Sequence, residues 1–134
     1  MLSLALDYGK GPIPLKNIAK EQEISEKYLE HLMASLKAAG LVRSARGTHG
    51  GYRLAKSPSQ ISLDEVVRVL EGSIVPVDCV DDPSVCRRVR FCAMRDIWRQ
   101  VKEAMEAVLE STTLQDLVER QREKEQSEGT MYYI

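Results

Sequence analysis

Residues 14–54 constrain the fold most, because two helix signals meet there across a three-residue turn and are followed at once by a glycine-rich tip between two extended runs. Pro14 suits the opening of a helix, since its fixed φ fits the first turn and its missing N–H would have no intrahelical partner there. This helix runs to about Gln22, with Leu15, Ile18 and Ala19 on one face. Ser25 is a good N-cap for the next helix, which extends to about Ala39 before Gly40 stops it. Leu29, Leu32, Met33 and Leu36 recur at the spacing of an inward face, leaving Lys27, Glu30, His31 and Lys37 on others. Beyond it, Leu41–Ser44 and Tyr52–Leu54 are strand-like, and Arg46-Gly47-Thr48-His49-Gly50-Gly51 between them signals a hairpin. Two helices on a tight turn make a helix-turn-helix, and a hairpin after it makes a wing. That arrangement places the second helix in the major groove of DNA and the wing against the backbone or minor groove.

The charge supports the same half of the chain. A formal net charge of −1 conceals a division: residues 1–56 hold nine Lys/Arg and five Asp/Glu, whereas residues 57–134 hold ten and fifteen. The N-terminal part is therefore the polyanion-binding candidate. Met1–Tyr8 reads as the last turns of a helix broken by Gly9-Lys10-Gly11-Pro12, and its beginning is expected to lie outside this sequence. Ser62-Leu63-Asp64-Glu65 is a capping box for a helix ending at Gly72, with Val66, Val67, Val69 and Leu70 on its apolar face. From about Ala93 to Glu110, Met94, Ile97, Trp98, Val101, Met105, Val108 and Leu109 form one continuous helical stripe. A small domain offers little surface to cover such a stripe, so the expectation is a homodimer with Ile97, Trp98, Val101, Met105 and Val108 at its interface. Thr113-Leu114-Gln115-Asp116 caps a final helix with Leu117 and Val118 inward, Glu119–Glu128 is highly charged, and the end of the chain reads as a mobile tail. The expected division is thus 1–72 for the winged helix-turn-helix, 73–92 for a cysteine-bearing loop, 93–128 for the dimerisation and C-terminal helices, and 129–134 for the tail. The fold class is mainly α with a small β-hairpin wing. No run of eighteen apolar residues and no leader pattern occurs, so the chain reads as soluble and cytoplasmic, with no membrane partner.

All three cysteines, Cys79, Cys86 and Cys92, fall within fourteen residues, with six residues in the first gap and five in the second. Their odd number and the missing leader argue against a secreted disulfide scaffold. Three soft donors on a flexible loop can converge on one soft centre, either an iron–sulfur cluster or zinc. Arg87, Arg88 and Arg90 would soften the negative charge of such a centre. There is no Cys-x-x-Cys pair, no histidine near the thiols and no phosphate loop, so a thiol enzyme is disfavoured. A zinc-stapled interaction module stays open as another class of function.

Ile24-Ser25-Glu26-Lys27-Tyr28-Leu29-Glu30-His31-Leu32, Leu36 to Gly40-Leu41-Val42, Arg46-Gly47 with Gly50-Gly51-Tyr52-Arg53-Leu54, Leu70-Glu71-Gly72 and Ser111-Thr112-Thr113-Leu114 together resemble the IscR/NsrR/CymR group of bacterial winged-helix transcriptional regulators. The resemblance covers nearly the whole chain. It implies a homodimer on a palindromic operator in double-stranded DNA and, in members with these cysteines, an iron–sulfur cluster that alters DNA binding. Members without the cysteines sense other signals, including partners from sulfur metabolism. On this resemblance Glu30 matches a position that accepts a hydrogen bond from cytosine, with Lys27 on the same face, and Arg46 suits a narrow minor groove. Tyr28, His31, Thr48 and His49 complete the DNA-facing set, together with Arg53, which could instead be a structural strand residue. Cys79, Cys86 and Cys92 would be the cluster ligands, [2Fe–2S] being favoured over [4Fe–4S]. The implied function is a cluster-sensing regulator of iron–sulfur cluster assembly genes, with a nitric-oxide or redox sensor as the alternative. Three departures stand out. The chain lacks about a dozen residues at the start of the family's first helix, Glu23 occupies a turn position where glycine is common, and Arg95 stands where a fourth ligand, histidine, is usual. Arginine cannot ligate iron in any ordinary protonation state. The fourth donor is therefore open among Asp78, Asp81, Asp82, Asp96, a residue across the dimer and a small molecule.

Overall fold

The computed structural model describes residues 1–131. Six helices and one hairpin follow in the order α1 (Leu2–Leu6), α2 (Leu15–Glu21), α3 (Glu26–Ala38), β1 (Val42–Ala45), β2 (Gly51–Leu54), α4 (Leu63–Glu71), α5 (Ala93–Ser111) and α6 (Leu114–Met131). This is the expected winged helix-turn-helix followed by a long helix.

The helix-turn-helix angle is set by how α2 stops. Gln22 is its C-cap, the Glu23 N–H donates to the Lys20 carbonyl at 3.3 Å, and the Ile24 N–H donates to the Ala19 carbonyl at 3.0 Å. These two bonds define a Schellman motif, whose residue after the cap must be left-handed. Glu23 fills that place with φ 53°, the one non-glycine residue at positive φ among those described. Ser25 then caps α3 by accepting the Tyr28 N–H at 3.1 Å. The same motif ends α3, with Gly40 at φ 76° and the Leu41 N–H donating to the Leu36 carbonyl at 3.0 Å. Both of these leucines are buried, so the motif delivers β1 into the core.

β1 and β2 pair antiparallel, Val42 opposite Leu54 and Ala45 opposite Gly51. A third short segment joins them, because Ile13 and Tyr52 exchange two backbone bonds of 2.8 Å. Gly51 permits it: a Cβ there would collide with the Ile13 carbonyl. This bridge, which the sequence reading did not foresee, ties the wing to the connection between α1 and α2.

One core runs through the molecule, drawing Leu4, Ile18, Leu29, Met33, Leu36, Leu41, Val42, Leu54, Ile61 and Val66 from the first 72 residues and Leu114 and Val118 from α6. Helix α6 is brought back by a short bridge between Ser62 and Thr113, in which Leu63 N–H donates to Thr112 and Leu114 N–H to Ile61 at 2.8 and 2.9 Å. Thr113 and Asp116 form a reciprocal cap for α6. Full burial of a side chain such as Leu114 contributes roughly 1.5–3 kcal/mol, which makes α6 part of the N-terminal core. Gly72 is the C-cap of α4 and Cys92 the N-cap of α5. The first turns of the segment expected to accompany the dimerisation helix, however, pack with the winged unit. Val118 is inward as expected, whereas Leu117 is half-buried beside the core. Helix α6 also continues through Gly129 to Met131, so those residues of the expected tail are helical, while residues 132–134 lie outside the described part.

Candidate nucleic-acid interface and cysteine loop

With Leu29, Met33 and Leu36 of α3 anchored in the core, the opposite side of the helix is left to solvent. Lys27, Tyr28, Glu30 and His31 are all exposed there and, with Ser25, line a shallow hollow. Tyr28 keeps 57 % of its surface exposed. Arg46, Thr48 and His49 project from the turn of the hairpin, closed by the Gly50 N–H on the Gly47 carbonyl at 3.0 Å. Neither Lys27 nor Arg46 nor Arg53 forms an ion pair with any described residue, so each cation is available to a phosphate. Arg53 is exposed and lies directly opposite Arg43, also exposed. Like charges facing across a hairpin repel, and an anion between or beside them relieves that repulsion. Arg43 is missing from the sequence-derived set because its relation to Arg53 needs the strand register. Pairing residues 42–45 with 51–54 would have given it.

The loop 73–92 is built from two 3-10 turns, Asp78–Val80 and Pro83–Val85, the second capped by the Asp82 carboxylate, which accepts from the Ser84 hydroxyl and N–H at 2.6 and 3.0 Å. Those two bonds hold the Asp82 carboxyl below its ordinary range. Two side chains of α5 grip the first turn: Arg95 Nε donates to the Cys79 carbonyl at 3.0 Å, and Lys102 Nζ to the Asp81 carboxylate at 2.7 Å. The Lys102 bond and one from the Ser73 hydroxyl hold Asp81 below the usual carboxylate range, and the Asp81 carboxylate in turn raises Lys102. Arg95, at the position customary for a fourth ligand, thus serves as a hydrogen-bond donor to the loop.

Cys79, Cys86 and Cys92 are free thiols, each half-buried. Among the described residues no three Cys, His, Asp or Glu side chains converge on a common point that could hold a metal ion. The donor set therefore fits a soft centre by its chemistry, three thiols on one short loop, while the site is not preformed. Gathering all three thiols on one centre would therefore call for a rearrangement of the loop between the Arg95 contact and the start of α5. Such a segment is suited to that: Val85 and Phe91 lie exposed, Phe91 at 90 %, and neither anchors the loop.

Helix α5 has no buried residue in this chain. Met94, Ile97, Met105 and Val108 are exposed, and Trp98, Val101 and Leu109 are half-covered. Beside the stripe, Glu106 reaches α4, where Arg68 donates to Asp64 at 2.7 Å and to Glu106 at 3.4 Å. The five residues expected at a dimer interface thus lie along one face of α5, and Ile97, Met105 and Val108 of that set are bare. No helix among the described residues is long and apolar enough to cross a membrane.

Comparison with known proteins gives this geometry a context. Residues 1–120 match the model of the family Rrf2, described as an iron-dependent transcriptional regulator. The HTH-type transcriptional regulator CymR of Bacillus subtilis is 42% identical over 134 residues, which is 100% of this chain and 91% of CymR. A solved CymR structure, titled the global cysteine regulator of B. subtilis, superposes with a TM-score of 0.74, covering 89% of this chain and 87% of that one. The HTH-type transcriptional regulator IscR of Klebsiella pneumoniae is 37% identical over 121 residues, 90% of this chain and 74% of IscR. The solved structure of T. potens IscR is 42% identical with a TM-score of 0.78, covering 98% of this chain and 87% of that one.

Proposed function

The chain belongs to the Rrf2 family of DNA-binding transcriptional regulators, and on that premise we propose that it acts as a homodimer on a palindromic operator, with the cysteine loop as its sensor. Helix α3 enters the major groove with Lys27, Tyr28, Glu30 and His31, and the hairpin brings Arg46, Thr48 and His49 to the adjacent minor groove and backbone. Arg43 and Arg53 add phosphate contacts. The Met94–Leu109 stripe meets its own copy, which covers the bare apolar surface. Cys79, Cys86 and Cys92 hold an iron–sulfur cluster, [2Fe–2S] being favoured, and the genes controlled are those of cluster assembly. Bound there, the cluster would supply a centre that responds to iron and to oxidants. The observation carrying this reading is the position of the loop, whose three thiols end at the N-cap of the helix that bears the unpartnered stripe.

The test is reconstitution without oxygen, followed by iron and sulfide analysis. Two irons and two sulfides per chain, lost when all three cysteines become alanine, support the assignment. Stoichiometric zinc without sulfide overturns it. A second reading is favoured by the CymR likeness over the full chain and by thiols that do not converge: a regulator of sulfur metabolism whose loop takes part without a metal. It predicts no iron, no sulfide, and operator binding unaffected by chelators.

A further inference from the structure

The charged side chains between loop and DNA-binding unit form one unbroken series that the function above does not use. Ser73 and Lys102 hold Asp81 at the loop end, the latter at 2.7 Å. Lys102 also lies 3.8 Å from Glu106, one turn along α5. Glu106 meets Arg68 of α4 at 3.4 Å, and Arg68 closes on Asp64 at 2.7 Å. The middle of this series is sheltered, since the side chains of Lys102 and Glu106 retain 27 % and 23 % exposure. It spans three elements: the loop, α5, and α4, whose other side packs on the recognition helix α3. Arg95 stands seven residues before Lys102, two turns away on the same side of α5, and holds the Cys79 carbonyl. The loop segment 79–81 is therefore clamped at two points, and Lys102 is the only one of the two clamping side chains that also contacts an acid linked to α4.

We propose that Lys102 is a positioning residue through which the conformation of the cysteine loop is coupled to the placement of α4 and hence of α3 on DNA. This rests on the reading of the loop as the sensor. If the loop refolds to gather its thiols, Asp81 leaves Lys102, and the freed ammonium turns fully to Glu106, competing with Arg68 for that carboxylate. Arg68 then keeps only Asp64, so the tie between α4 and α5 loosens. Coupling between two sites is reciprocal, so DNA must act back on the loop with the same factor. That makes the proposal testable on the metal-free protein.

The full chain with free thiols is labelled with N-ethylmaleimide, and the rate at Cys79 is read by mass spectrometry with and without a palindromic duplex that the chain selects from a random pool. In the wild type, saturating duplex should change the Cys79 rate by about fivefold or more. Lys102→Met should bring that ratio close to one while leaving affinity for the duplex within about twofold, and Lys102→Arg, which still reaches two carboxylates, should restore it. Glu106→Gln should reduce the ratio as Lys102→Met does, guarding against an effect peculiar to one variant. Shielding of the thiol by DNA alone would survive Lys102→Met, so an unchanged ratio in that variant overturns the proposal, as does a wild-type rate indifferent to bound duplex. Failure of the wild type to bind any duplex would instead overturn the DNA-binding reading and this coupling with it.

Discussion

Replacing Glu23 by glycine should stabilise the protein without touching the site. Glu23 holds φ 53° because both N–H groups that follow the cap of α2 must reach back to Lys20 and Ala19. An L-residue in this conformation is strained by roughly 1–2 kcal/mol, through crowding of Cβ against the following carbonyl. Glycine removes that strain but gives the unfolded chain more freedom, which costs about 0.4–1 kcal/mol. The side chain is exposed and forms no ion pair with the described residues, so nothing else is lost. The net expectation is a gain of about 0.5–1 kcal/mol, or about 2–5 °C in Tm for a domain of this size. Thermal and urea unfolding, compared at one protein concentration because association shifts apparent stability, would measure it. Operator affinity should stay unchanged, since the turn keeps its geometry. A loss of stability would refute the strain argument and mean that Glu23 contributes contacts outweighing its backbone conformation.

Other consequences follow from single contacts. Gly51→Ala should break the two Ile13–Tyr52 bonds, cost about 1–3 kcal/mol in urea unfolding, and weaken DNA binding through the displaced wing. Val101→Glu would place an unpaired charge within the stripe and should yield a monomer by light scattering, whereas a persistent dimer would remove α5 from the interface. Glu30→Ala should relax discrimination at one base pair per half-site by about 1–3 kcal/mol, while Arg46→Ala weakens all sequences more evenly, which a competition series of duplexes would separate. The Asp116 carboxyl is lowered by the Thr113 N–H and then by its hydroxyl. Its stabilisation of α6 is complete above the ordinary carboxylate range and fades as pH falls through the lowered native value, so Asp116→Asn should destabilise at neutral pH and have a smaller effect in strong acid.

Much of the fold was legible because its signals are local. Ser25, Gly40, the Ser62–Glu65 box and the 46–51 tip each act on their own few residues, and the structure places α2, α3, the hairpin and α4 within a residue or two of where those signals put them. The contacts that escaped reading are long-range. Ile13 meets Tyr52, Ser62 meets Thr113 and Leu114 enters the N-terminal core through pairings that no periodicity announces. The departure at Glu23 was visible as a missing glycine, but its φ needed the two closing bonds of the motif. At the site, the exposed face of α3 followed from its apolar face. Arg43 did not, since it depends on register, and the Lys102–Asp81 contact depends on how the loop folds back on α5. The cysteines were conspicuous in sequence, yet spacing alone could not tell that their loop is held by Arg95 and Lys102.

Whether the loop sets how α3 and the wing engage DNA can be read from one anisotropy titration. The anaerobically reconstituted protein and the variant with Cys79, Cys86 and Cys92 all changed to alanine are titrated on the same selected palindrome at one fixed salt concentration. The two binding curves should separate by at least about fivefold in Kd, with both proteins still bound at low salt. Superimposed curves from protein shown to carry its iron and sulfide would contradict that.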